Sequence, residues 1–223
     1  MTVLPLMNIP HPDPLSQPAP TWLAWFLLTL TFFLHLLPMN LVMGGSIIAA
    51  VARARGRGGE HPHHAALGSW FGKAMPVAVA AAVSFGVAPL LFLQVLYGRL
   101  FFTSTILMGW FWLSVIVILI LAYYGTYLLA FKGERLGGAQ GPVSWIAALI
   151  FLVVGFLLAN NMTLMLRPGT FVERYLADGR GFHLNLNDPM LFPRYIHFVL
   201  GAIAVSGIIF RKAAGLRRSR IRL

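Results

Sequence analysis

The sequence predicts an all-α fold: an integral membrane bundle of five transmembrane helices, with the N-terminus outside and the C-terminus cytoplasmic. Two observations set the class. Apolar residues make up 58% of the chain and charged residues only 10%, with a mean hydropathy of +0.78, a balance no soluble domain carries. The apolar residues also gather into five runs of the roughly 20 residues that a bilayer crossing requires. A third observation, the placement of Lys and Arg, orients the bundle.

The runs cover residues 21–52, 74–96, 103–131, 143–164 and 195–210. The first opens after a proline-rich stretch and closes at Arg53; the second follows Lys73; the third ends before Lys132; the fourth ends before Arg167. The fifth is the shortest. Pro189 and Pro193 stand at its start, where proline suits a first helical turn, and Arg211 and Lys212 at its end. Between the second and third runs, residues 97–102 read as a tight turn, and residues 167–193 as a longer loop.

Residues 53–73, 132–135 and 211–222 hold twelve of the seventeen basic residues. Alternation through five spans places all three on one side, which the positive-inside rule makes cytoplasmic. Residues 1–20 then form an extracytoplasmic proline-rich tail, 21–212 the membrane domain and 213–223 a basic cytoplasmic tail. The first twenty residues lack a basic n-region and a small-residue cleavage site, so they do not read as a signal peptide. The net charge of +11 sits at span ends and not on one patch, which argues against a nucleic-acid partner. No cysteine is present, which excludes disulfides, thiolate metal sites, iron–sulfur ligation and covalent haem attachment through this chain.

His35 and His197 lie inside runs otherwise free of charge. A titratable ring in hydrocarbon is costly without a partner, and haem iron is the partner that neutral imidazole suits. His35 falls about 20 Å below the outer end of the first span at helical rise, three residues before Pro38, with Gly44 and Gly45 further along, where another helix can approach. His197 lies nearer the outer surface. Gly201, one turn on, leaves a clearing on its face for a macrocycle. Arg194, three residues before His197, can pair with haem propionates, as can Arg99 and Arg167. The competing reading of each histidine is a plain hydrogen bond to a neighbouring helix. Asn40 and Gln94 are polar groups within spans that can satisfy each other, a propionate or a kinked backbone. His61, His63 and His64 read as part of a solvated basic loop, since they lack cysteine and have only Glu60 nearby.

The stretch Phe33-Leu34-His35-Leu36-Leu37-Pro38-Met39-Asn40-Leu41-Val42-Met43-Gly44 resembles the first helix of subunit I of the cytochrome bd quinol oxidases, where a haem-binding His precedes a Pro and a Gly. Asp188-Pro189-Met190-Leu191-Phe192-Pro193-Arg194-Tyr195-Ile196-His197-Phe198 is similar to that family's segment carrying the ligand of a low-spin haem near the outer face. Asn160-Asn161-Met162 through Arg167-Pro168-Gly169 is similar to a third segment, with a shifted spacing and without its Trp and Gln. The resemblance covers nearly the whole chain.

It also has departures. Phe92 stands where the family has a glutamate at the oxygen-reducing haem, and Thr105 where a proton-channel glutamate falls. The resemblance therefore does not extend to oxygen reduction, since neither side chain carries protons. The family's later helices, with the methionine ligand and quinol loop, have no counterpart after Leu223, so the chain reads as a truncated relative. A second ligand opposite His197 must come from Met162, Met165 or Met190, from a partner, or not at all.

What the resemblance implies is one or two molecules of haem b, held by His35 and His197, in a subunit of a larger complex in the inner membrane. It would carry electrons between the quinone pool and an extracytoplasmic multihaem or c-type cytochrome. Two other classes stand beside it: a haem-free membrane anchor of a respiratory complex, and a small transporter with a polar path through His35, Asn40 and Gln94.

Overall fold

The computed structural model describes residues 19–56 and 62–220, with side chains at all of these except 62 and 214–220. Residues 1–18, 57–61 and 221–223 lie outside the described residues. Within them the chain is helical with no strand, because hydrocarbon cannot hydrogen-bond backbone and a helix satisfies its own N–H and C=O groups. Five helices are long and apolar enough to cross a membrane.

These are α1 (Thr21–Arg55), α2 (Pro62–Leu107), α3 (Gly109–Phe131), α5 (Gln140–Met165) and α7 (Leu191–Arg220); two short ones, α4 (Gly133–Leu136) and α6 (Phe171–Ala177), lie in connections. At helical rise α1, with 35 residues, is roughly 52 Å long and exceeds a bilayer core, so its ends project or it tilts. Pro193 stands in the first turn of α7, as expected, and α7 continues as helix to Arg220, through most of the stretch expected to be a tail.

The expected turn over 97–102 is helical. Only Tyr97 leaves helical geometry, at φ −129° and ψ 27°, and α2 runs on to Leu107. The Gly98-Arg99 pair imitates a turn in composition. In the structure the Thr103 hydroxyl donates to the Arg99 carbonyl at 2.7 Å, and buried Phe101 and Leu107 hold this last part of α2 against the bundle. The connection to α3 is at Met108. Thr105 therefore belongs to the end of α2 and not to the third span.

Basic residues gather at one end of the bundle. The centre is a cluster of Val42, Ala78, Val79, Ala122, Ala147 and Phe151, joining α1, α2, α3 and α5. Towards the basic end Phe71 and Met75 pack on Ala49, and Phe210 of α7 stacks on Phe71 with ring centroids 5.9 Å apart. At the opposite end Leu107, Met108 and Leu164 close the bundle with Phe171 of α6. Most other apolar side chains are exposed, the pattern of a bundle solvated by lipid tails.

α7 is held to α1 by a close crossing. A Cβ on Gly44 would lie 2.1 Å from the Ala202 carbonyl oxygen, so only glycine permits that approach. One turn away the Ser206 hydroxyl donates to the Asn40 carbonyl at 2.9 Å. The Tyr195 hydroxyl donates to the Leu152 carbonyl at 2.8 Å, tying α7 to α5.

Candidate functional site

His35 projects from α1 onto α2. Its Nδ1 lies 2.9 Å from the Ala82 carbonyl oxygen. A carbonyl only accepts, so Nδ1 carries the proton and, in the neutral ring, Nε2 carries the lone pair. No hydrogen bond of the described residues engages Nε2. Gly86, one turn beyond Ala82, makes room for the ring: a Cβ there would lie 2.9 Å from Cε1 and 3.0 Å from Nδ1. The ring is half-buried where α1 faces α2.

A ligating imidazole commonly donates its other N–H to a carbonyl, which fixes the tautomer and the ring plane. To a haem iron His35 would offer one basic nitrogen on a ring whose other nitrogen is held, while the space over Gly86 is taken by the ring itself. The same bond is also a sufficient reason for a polar side chain between two membrane helices.

His197 is arranged differently. The packed stripe of α7 runs through buried Leu191, Ala202 and Ser206, and His197 is exposed on another side of the helix. Arg194 is exposed one turn before it and Gly201 one turn after it; a Cβ on Gly201 would meet nothing within 4 Å. The clearing expected beside His197 is there, and it faces outwards from the bundle. Met190 is exposed at the start of α7, whereas Met165 is buried and Met162 half-buried at the end of α5. Met190 lies in the turn before α7, seven residues ahead of His197.

The loop over 167–193 is more ordered than the sequence suggests. Asp188, with a side chain 3% exposed, accepts from Arg167 Nε at 2.8 Å and from the Met190 N–H at 2.8 Å. Burial pushes the Asp188 carboxyl up, but the Met190 N–H and the Arg167 guanidinium outweigh it and hold it below its usual value. Arg167 is half exposed and engages Asp188 through Nε. Arg174 donates to the Asn185 side-chain oxygen at 2.7 Å, and the Asn185 N–H donates to the fully buried Asn160 oxygen at 2.9 Å. The loop is pinned back onto the α2–α3 connection, where the His183 N–H donates to the Leu107 carbonyl at 2.9 Å.

Other expectations resolve as follows. Asn40 and Gln94 share no hydrogen bond among the described residues. No group of three His, Cys, Asp or Glu side chains able to hold a metal occurs among them, and His61 lies outside them. Trp22, Trp25 and Trp145 are exposed, and Trp25 packs edge-on against Tyr97 at 5.4 Å.

Sequence reasoning missed Ala82 and Gly86, although a lone glycine three residues before Pro89 in an apolar helix was a signal. It also missed the inward course of Arg53, which it read only as the start of a basic loop. No family model, no curated protein and no solved structure matches this chain.

Proposed function

We propose that this chain is a haem b-binding subunit of a larger membrane complex and carries electrons between the quinone pool and an extracytoplasmic c-type cytochrome. The observation that supports it most is the His35 ring, its Nδ1–H turned to the Ala82 carbonyl at 2.9 Å and Nε2 left to bind. Bound haem supplies a reversible one-electron couple. The chain's own residues do the rest: the Ala82 carbonyl fixes the tautomer and Gly86 gives the ring its place.

In this reading the basic end is cytoplasmic, so His197 stands near the outer surface, on the side of the cytochrome, and His35 deeper in the bilayer. His197 holds a second haem against the exposed face of α7. The rest of this chain packs on a different side of α7, so a haem there would need a neighbouring subunit to cover it. A haem-free anchor would need the His35 bond only as helix packing.

A pyridine haemochrome assay on the purified full chain decides between them. The expected result is a b-type spectrum that falls by at least ~10-fold per chain in His35→Ala, the scale on which metal sites respond to their ligands and supporting bonds. A wild-type chain without Soret absorbance, expressed with sufficient haem, would sink the proposal.

A further inference from the structure

Arg53 is near the end of α1, where an arginine would ordinarily extend to water. Helical side chains lean towards their own N-terminus, and here that direction leads into the bundle. Nη1 donates to the Ser144 hydroxyl of α5 at 2.8 Å. Two glycines of α2 make the space: a Cβ on Gly68 would lie 2.9 Å from Arg53 Cγ, and one on Gly72 only 2.1 Å from Nη2. The guanidinium therefore occupies a place that three helices have been shaped to leave.

No carboxylate among the described residues pairs with it; the ion pairs there are Arg167 with Asp188 and Arg180 with Asp178. A guanidinium has five N–H donors, and Ser144 takes one. Beside it lies a narrow crevice lined by Ser46, Thr126 and Ser144 among Met75, Leu129 and Phe151. The three hydroxyls donate to carbonyls of their own helices, at Met43, Tyr123 and Gln140. Their protons are committed, so Arg53 is the crevice's donor to any anion. The crevice admits a water-sized atom, such as a single oxygen, and little more.

We propose that Arg53 and this crevice bind a phosphate oxyanion, with one oxygen on the guanidinium and the rest of the group outside. The chemistry is that of a fork donor facing phosphate. The source favoured by position is the headgroup of an anionic phospholipid: Arg53 is two residues from the end of α1, at the end that also exposes Arg55, Lys73, Lys132 and Arg211, and basic residues at a membrane surface attract such lipids. This site lies roughly 27 Å along α1 from His35 at helical rise and does not depend on haem.

The test uses the purified full chain in phosphatidylcholine nanodiscs, with thermal unfolding and native mass spectrometry as readouts. Phosphatidylglycerol is expected to raise the unfolding temperature of wild type and of Arg55→Gln alike, with retained lipid on both. Arg53→Gln should lose most of the shift and the retained lipid. Arg53→Lys keeps the charge and loses the fork, and Ser144→Ala loses the anchor; each should weaken binding several-fold, so the idea remains testable if Arg53→Gln does not fold. Inorganic phosphate reproducing the whole Arg53-dependent shift would support the site and assign it to a free anion. Equal responses in wild type, Arg53→Lys and Ser144→Ala, or no response in wild type to either anion, would overturn it.

Discussion

The Ala82 carbonyl oxygen sits 2.9 Å from Nδ1 of His35, forty-seven residues apart in sequence, and this one contact decides which nitrogen of the ring remains basic. Gly86, one turn on, makes room for the ring at that level.

Gly86→Ala places a methyl group 2.9 Å from the imidazole Cε1. The ring must move, and its bond to Ala82 must lengthen or turn. Haem content per chain should fall several-fold while the protein still inserts and remains monodisperse, as overpacking by one methyl costs about 1–3 kcal/mol. Full haem occupancy in this variant would show that the Ala82 contact does not position the ligand.

His197→Ala should leave the isolated chain unchanged in unfolding temperature, because the ring makes no packing contact on the buried stripe of α7; exposed substitutions usually stay within about ±0.5 kcal/mol. In the isolated chain the haem of His35 should remain. In the intact complex the same variant should lose one haem per copy of this chain. An equal loss from the isolated chain would mean that α7 holds its haem without help.

Gly44→Leu should separate α7 from α1, since even a Cβ would come within 2.1 Å of the Ala202 carbonyl and backbone cannot give way as a side chain can. Cysteines introduced at Asn40 and Ser206 should cross-link in an otherwise wild-type chain and fail to do so with Gly44→Leu. Unchanged cross-linking would refute this crossing.

Asp188 makes stability depend on acid. Its carboxyl titrates below the ordinary value of 3.8 when folded, so its contribution is complete above that value and is lost as pH falls through the lower folded one. Unfolding temperature should drop below about pH 4. Asp188→Asn should lower stability by about 1–3 kcal/mol at pH 7 and flatten the acid limb. Hydrogen exchange localised to residues 167–193 checks whether the loss lies in that loop.

The number of spans, their order and the basic end were legible because each depends on a local quantity: the transfer cost of about 20 consecutive side chains and the charges beside them. The error at 97–102 has the same origin. Gly98 and Arg99 lower local hydropathy as a turn does, and only contacts of Phe101 and Leu107 with distant helices keep that stretch helical. The loop over 167–193 was legible as a connection, but its folded course rests on Asn160 and Leu107, which are far away in sequence.

The sequence by itself determined that two imidazoles, a cluster of glycines and a basic rim would share a five-helix membrane bundle. Tertiary structure alone decided how those groups face. It turned His35 to a carbonyl of α2, left His197 outside the packed stripe of α7 and drew Arg53 inwards between Gly68, Gly72 and Ser144. The reason is rotational: hydropathy fixes that a helix crosses the bilayer, but in hydrocarbon almost any face is tolerated, and the rotation of each helix is set by small-residue contacts such as Gly44 with Ala202.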